Sequence, residues 1–113
     1  MQMLDEFFIK ESKCKDDKKK YFVVRSNRAG VFYGEITGIT ETGSRCEMSN
    51  ARRIFYWDGA ASLSQLSIDG VSKPENCKFP ESVPEVTLFD IIEVLSLSEK
   101  ARASLDSVED WKE

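Results

Sequence analysis

The chain has 113 residues, of which 41% are apolar, 32% charged and 11% aromatic, with three cysteines, no histidine and a net charge of −4. That balance fits a globular chain with a modest core and excludes a disordered one; no apolar run approaches the roughly 18 residues that span a bilayer. Without histidine the commonest metal ligand and general base are missing, and the scattered Cys14, Cys46 and Cys77 make neither a disulfide framework nor a metal knuckle, so no metal site and no cofactor are expected.

Residues 1–20 read as a charged arm and residues 21–113 as one α+β domain. The arm begins with the apolar word LDEFFI (residues 4–9), expected to dock on the domain or on a neighbouring subunit, and lacks the basic start of a secretory signal. Its second half, KESKCKDDKKK, sets six lysines among three acids with no apolar period and reads as solvated. A soluble, intracellular chain is the expectation.

YFVVRS (residues 21–26) is rich in aromatic and β-branched residues and predicts a strand; NRAG then supplies turn chemistry, and VFYGEITGIT returns as the second strand of a hairpin. Gly34 and Gly38 mark places where that strand bends or another backbone comes close. ETGSR turns into a third strand region, CEMSNARRIFYWD, whose alternation sets Arg53, Phe55 and Trp57 on one face and Arg52, Ile54 and Tyr56 on the other, both covered over the second half. ASLSQLSIDGV reads as a further strand with a bulge or helical turn near residues 61–63, and residues 72–85, holding all three prolines, as a long ordered loop.

Leu88, Ile91, Ile92 and Leu95 follow the i, i+3, i+4, i+7 spacing of a helix lying on a sheet, with Thr87 as its N-cap, and predict a helix over 87–97. Ser98 caps a second helix over 98–107, with Ala101, Leu105 and Val108 inward and Trp111 as a staple at the core edge. The fold class is therefore α+β: an antiparallel β-sheet in the N-terminal part with two C-terminal α-helices packed on it. A strand covered by aromatics on both faces exceeds what two short helices hide, so a homo-oligomer is expected.

Three words in order carry a resemblance. NARR, then YWDGAASLSQL, then PENCKFP resemble a family of small tailed-phage proteins of unassigned function, over a stretch from about Tyr21 onward. More distantly, the layout is similar to the phage Thoeris anti-defence sponges, which combine an N-terminal antiparallel sheet, C-terminal helices and oligomers that bury cyclic ADP-ribose isomers. The resemblance implies a non-catalytic protein of the host cytoplasm that sequesters a cyclic nucleotide-type immune signal.

A pocket for such a ligand requires cations for phosphates, a flat ring for the base and amides for its edges. Arg52 and Arg53 supply the cations with Arg102 as a second arm, Phe79, Tyr56 or Trp57 the ring, and Asn50 and Asn76 the amides. Strand alternation lets only one of the tandem arginines face a pocket, and Arg53, sharing a face with Phe55 and Trp57, is the expected one. Arg52 then pairs with an acid or water, and its loss costs little. The plain structural reading stands beside this: the arginines pair with Glu47 and Asp58, and Phe79 anchors its loop. Enzymatic chemistry finds no support, because no carboxylate, lysine, cysteine or serine shows a catalytic spacing. The alternative is an interaction module for single-stranded nucleic acid or a host protein. Residues 81–113, with three basic residues against nine acids, argue against nucleic acid.

Overall fold

The computed structural model describes residues 20–112. The arm and its LDEFFI word, apart from Lys20, lie outside the described residues.

Strands β1 (Phe22–Ser26) and β2 (Gly30–Ile39) form the expected hairpin, and β3 (Arg45–Arg53) follows after the second turn. Ser62 then accepts a hydrogen bond from Gln65 N and caps a short helix, α1 (Leu63–Asp69). Here the strand reading of ASLSQLSIDGV is corrected. The S-x-x-Q pair works as a helix start, with Gln65 Oε1 accepting from Ala61 N, and Gly70 at positive φ closes the last turn on Leu66 O. The proline-rich loop is ordered as read; it holds a 3-10 turn (Pro74–Asn76) and then enters a strand, β4 (Val83–Phe89).

The helix expected over 87–97 is absent. Residues 83–96 form β4 and β5 (Ile91–Ser96), two strands joined by Asp90 alone, which sits at φ 57. The β-branched side chains of Val83, Val86, Thr87, Ile91, Ile92 and Val94 outweigh the apparent helical stripe, which runs across a corner. The last helix, α2 (Glu99–Asp106), forms as expected with Ser98 as N-cap, and Ala101, Leu105 and Val108 are buried. The α+β reading holds: an antiparallel five-stranded sheet with two helices, one of them inserted between β3 and β4.

The sheet order is β4-β3-β2-β1-β5. Strands at opposite edges are thus consecutive in the chain with one residue between them, so the sheet curls until its edges meet at Asp90. Both turns meet at that corner: Asn27 N donates to Asp90 O (2.9 Å), Asp90 N to Ser44 O (3.1 Å) and Ile91 N to Gly43 O (2.9 Å). The result is a half-closed barrel with two cores. Phe22, Val24, Phe32, Cys46, Met48, Ala51 and Leu88 fill the inside of the curl. Val23, Tyr33, Ile54, Leu66, Phe79, Ala101 and Leu105 pack between the outer face and the helices. Gly34 lets β3 come close to β2: a Cβ there would lie 2.9 Å from Ala51 Cα and Asn50 O.

Candidate functional site

Register sets Arg52 opposite Tyr33 on the helix side and Arg53 opposite Phe32 on the inner side. Arg52 is only 5% exposed. Its guanidinium donates to Pro80 O (2.9 Å), Leu105 O (3.1 Å), Val108 O (2.6 Å) and Phe79 O (3.4 Å), to Tyr33 Oη (3.3 Å) and to Asp110 Oδ1 (2.9 Å), and it lies 5.2 Å from the centroid of the Phe79 ring. Leu105 and Val108 present carbonyls from the last turn of α2 and just beyond it, where a cation is favoured. Arg52 is therefore a buried clamp joining β3, the proline-rich loop, α2 and the tail. It is engaged on all sides, which corrects the expectation that its loss costs little. Its acid is Asp110, not Glu47 or Asp58.

Arg53 is exposed and is not enclosed with Phe55 and Trp57 as the pocket reading expected. Its guanidinium lies 4.4 Å from the Phe32 ring centroid and donates to Ala29 O, lidding the inner core at the β1–β2 turn. Arg102 lies over the Tyr21 ring (3.6 Å to the centroid) and pairs with Asp106 (3.6 Å). Tyr33 donates to the same carboxylate (2.9 Å), and burial holds its phenol far above the ordinary range. Asn50 sits at positive φ in a β3 irregularity and donates to Glu35. Asn76 donates to Asp58 (3.0 Å); Trp57 donates to Ala60 O (3.2 Å) and packs against the helix-side core; Phe79 is fully buried. Asn50, Arg52, Arg53, Trp57, Asn76, Phe79 and Arg102 thus serve several separate local contacts and do not line one pocket. Nor is the end of the third strand region covered on both faces, because Phe55 and Tyr56 are both exposed.

A different set converges. Phe55 and Trp111 stack with centroids 5.1 Å apart and planes 12° from parallel, and Lys78 Nζ stands 5.4 Å from the Trp111 centroid. Phe55 remains 60% and Trp111 45% exposed, so the pair turns ring surface to solvent. Backbone pairing fixes the three: Phe55 N donates to Lys78 O (3.1 Å), Lys78 N to Tyr56 O (2.8 Å) and Trp111 N to Phe79 O (2.9 Å). Asp110, next to Trp111, is held by Arg52. Arg53 and Phe55 flank Ile54, which is buried in the helix-side core, and both are exposed. The platform thus offers aromatic area beside one cation, Lys78, an arrangement that could take a planar, negatively charged group. Sequence reasoning missed Lys78 and took Trp111 as a core-edge staple; the signal available was Phe55, an aromatic two residues after the exposed arginine.

The described thiols point away from nucleophilic chemistry. Burial pushes the Cys46 thiol up to about 11, with Glu47 adding to the rise, and burial also raises Cys77. Among the described residues no group of three His, Cys, Asp or Glu side chains is placed to hold a metal ion, and no helix is long and apolar enough to cross a membrane.

Fold and site define a small α+β domain, a half-closed five-stranded barrel carrying an exposed aromatic and cationic surface. The model of a domain of unknown function, DUF6948, matches residues 19–105, and the chain belongs to that family. Phe55 and Lys78 lie within the matched residues and Trp111 beyond them. No curated protein and no solved structure matches the chain.

Proposed function

We propose that this domain is a non-catalytic binding protein whose ligand is a planar, negatively charged small molecule, most concretely a cyclic nucleotide-type immune signal that it sequesters in the host cytoplasm. The observation that carries the reading is the half-exposed stack of Phe55 and Trp111 with Lys78 over it. A base laid on an aromatic ring is stabilised by about 1–3 kcal/mol, and a neighbouring ammonium adds a charge-assisted contact to phosphate. The phage setting comes from the resemblance of the words in residues 50–53, 56–66 and 74–80. Sequestration works by mass action: held signal is withdrawn from its receptor, so affinity and copy number set the effect.

The test incubates the protein with a panel of cyclic dinucleotides and cyclic ADP-ribose isomers, separates protein from free ligand, then heats the complex and assays what is released. Intact ligand is the expected product. Phe55→Ala is expected to weaken capture about 5- to 150-fold, the equivalent of one lost stacking contact. Degraded product, or no depletion of any signal, refutes the proposal. Affinity that collapses steeply with salt would instead mark a longer polyanion.

A further inference from the structure

We propose that the outer edge of β5 is a docking strand for the β5 of a second copy of this chain, paired antiparallel about a twofold axis at Val94. The two edges of the sheet differ in how they are protected. β4 carries Pro84, which has no N–H to offer, beside exposed Glu85. β5 reads Ile-Ile-Glu-Val-Leu-Ser, without proline or lysine, and its one charge is taken up by Arg25 of β1 (3.5 Å). Its apolar side chains are open, with Ile92 54% and Val94 39% exposed. They line a groove of about 310 Å³ that also includes Phe22 and Ile39, where the curled sheet gapes between β5 and the β2–β3 hairpin.

The backbone supplies the register. Leu97 N donates to Tyr21 O (3.0 Å), and the pairing of Phe22, Val23 and Val24 with Ser96, Leu95 and Val94 is unbroken. By the period of a strand, Leu95 turns its N–H and C=O towards β1, while Val94 and Ser96 turn theirs outward. Among the described residues no strand pairs with that side. A twofold axis perpendicular to the sheet sets residues of the same face opposite each other. Centred at Glu93 it would set two carboxylates face to face. Centred at Val94 it makes the two copies of Val94 a hydrogen-bonded pair through those outward groups, and sets Glu93 beside the partner's Leu95. The apolar grooves then abut along the new seam. A strand pair of this length stays below the roughly 1,200 Å² of a standard interface, so the dimer is weak and concentration-dependent. The inference is independent of the ligand reading, because its surface lies on β5 and not at the ring pair.

Cross-linking tests the register. In the full chain with Cys14 and Cys77 replaced by serine, Val94→Cys sets two thiols on a hydrogen-bonded pair with Cα atoms about 5.5 Å apart, within disulfide reach. Glu93→Cys sets them more than about 7 Å apart, beyond it. The expected result is a disulfide dimer at 94 that forms faster as concentration rises, and little at 93. In sedimentation at about 100 µM, a concentration at which a micromolar dimer is populated, wild type is expected to show dimer and Val94→Lys only monomer, with unchanged far-UV circular dichroism. Equal cross-linking at 93 and 94, or a strictly monomeric wild type at that concentration, overturns the proposal.

Discussion

Replacing Arg52 by alanine is expected to destabilise the domain by about 3–5 kcal/mol, the range for removing one partner of a buried ion pair. The structure says where that energy goes. The contact with Asp110 is the smaller part, because Asp110 is about half exposed and rehydrates once freed; an exposed pair contributes about 0–1 kcal/mol. The larger part comes from the carbonyls of Val108, a buried residue, and of Pro80, a half-buried one, which lose the guanidinium as their donor, whereas Phe79 O keeps Trp111 N and Leu105 O keeps Val108 N. Each buried acceptor left unmet costs about 1–3 kcal/mol. Loss of the guanidinium packed on Phe79 adds a void. Against a total stability of about 5–15 kcal/mol, the variant sits near the edge of folding, with Tm lowered by about 15–30 °C. Urea unfolding followed by far-UV circular dichroism measures it. Arg52→Lys is the sharper comparison: it keeps the charge and loses the fork, and is expected to recover less than half of the deficit. A loss below about 1 kcal/mol for Arg52→Ala, or full recovery by lysine, refutes the clamp.

Gly34→Ala is expected to cost about 1–3 kcal/mol, because the added Cβ meets backbone of Ala51 and Asn50 at 2.9 Å and neither atom yields as a side chain would; an unchanged urea midpoint removes the close-approach account. Alkaline pH is expected to weaken the fold. Cys46, ordinarily near 9.0, keeps its proton in the folded chain to about 11, and Tyr33 keeps its proton beyond its ordinary 10.0. Above pH 9 the unfolded chain therefore binds fewer protons than the folded one, so stability is full below that pH and falls as pH rises towards about 11, by up to about 1.4 kcal/mol per pH unit for each group. In urea titrations at several pH values Cys46→Ala is expected to flatten the slope between pH 9 and 10, and an unchanged slope counts against burial of the thiol.

Local grammar made part of this molecule legible. The β1–β2 hairpin and α2 could be read because each is specified within its own span: β-branched runs around a turn in one case, Ser98 and a buried stripe in the other. Residues 83–96 misled because a corner at Asp90 set apolar residues at a helical spacing; β-branched content was the better guide, and positive φ at an aspartate is not written in a pattern of hydrophobicity. The tandem arginines were legible only in part. Alternation correctly sent them to opposite faces, yet what each meets was decided by distant chain. Arg52 reaches Asp110, 58 residues on, and the same tail lays Trp111 on Phe55. The platform and its clamp are one assembly: the arginine that the ligand reading treated as dispensable holds the residue next to the second ring. A site built in this way has no spacing motif. Its parts come from the end of β3, a proline-rich loop and the tail, and they share only the acceptors around one guanidinium. Arg52 therefore holds the platform without belonging to it, while Phe55 and Lys78 are the side chains whose replacement tests the proposed binding apart from folding.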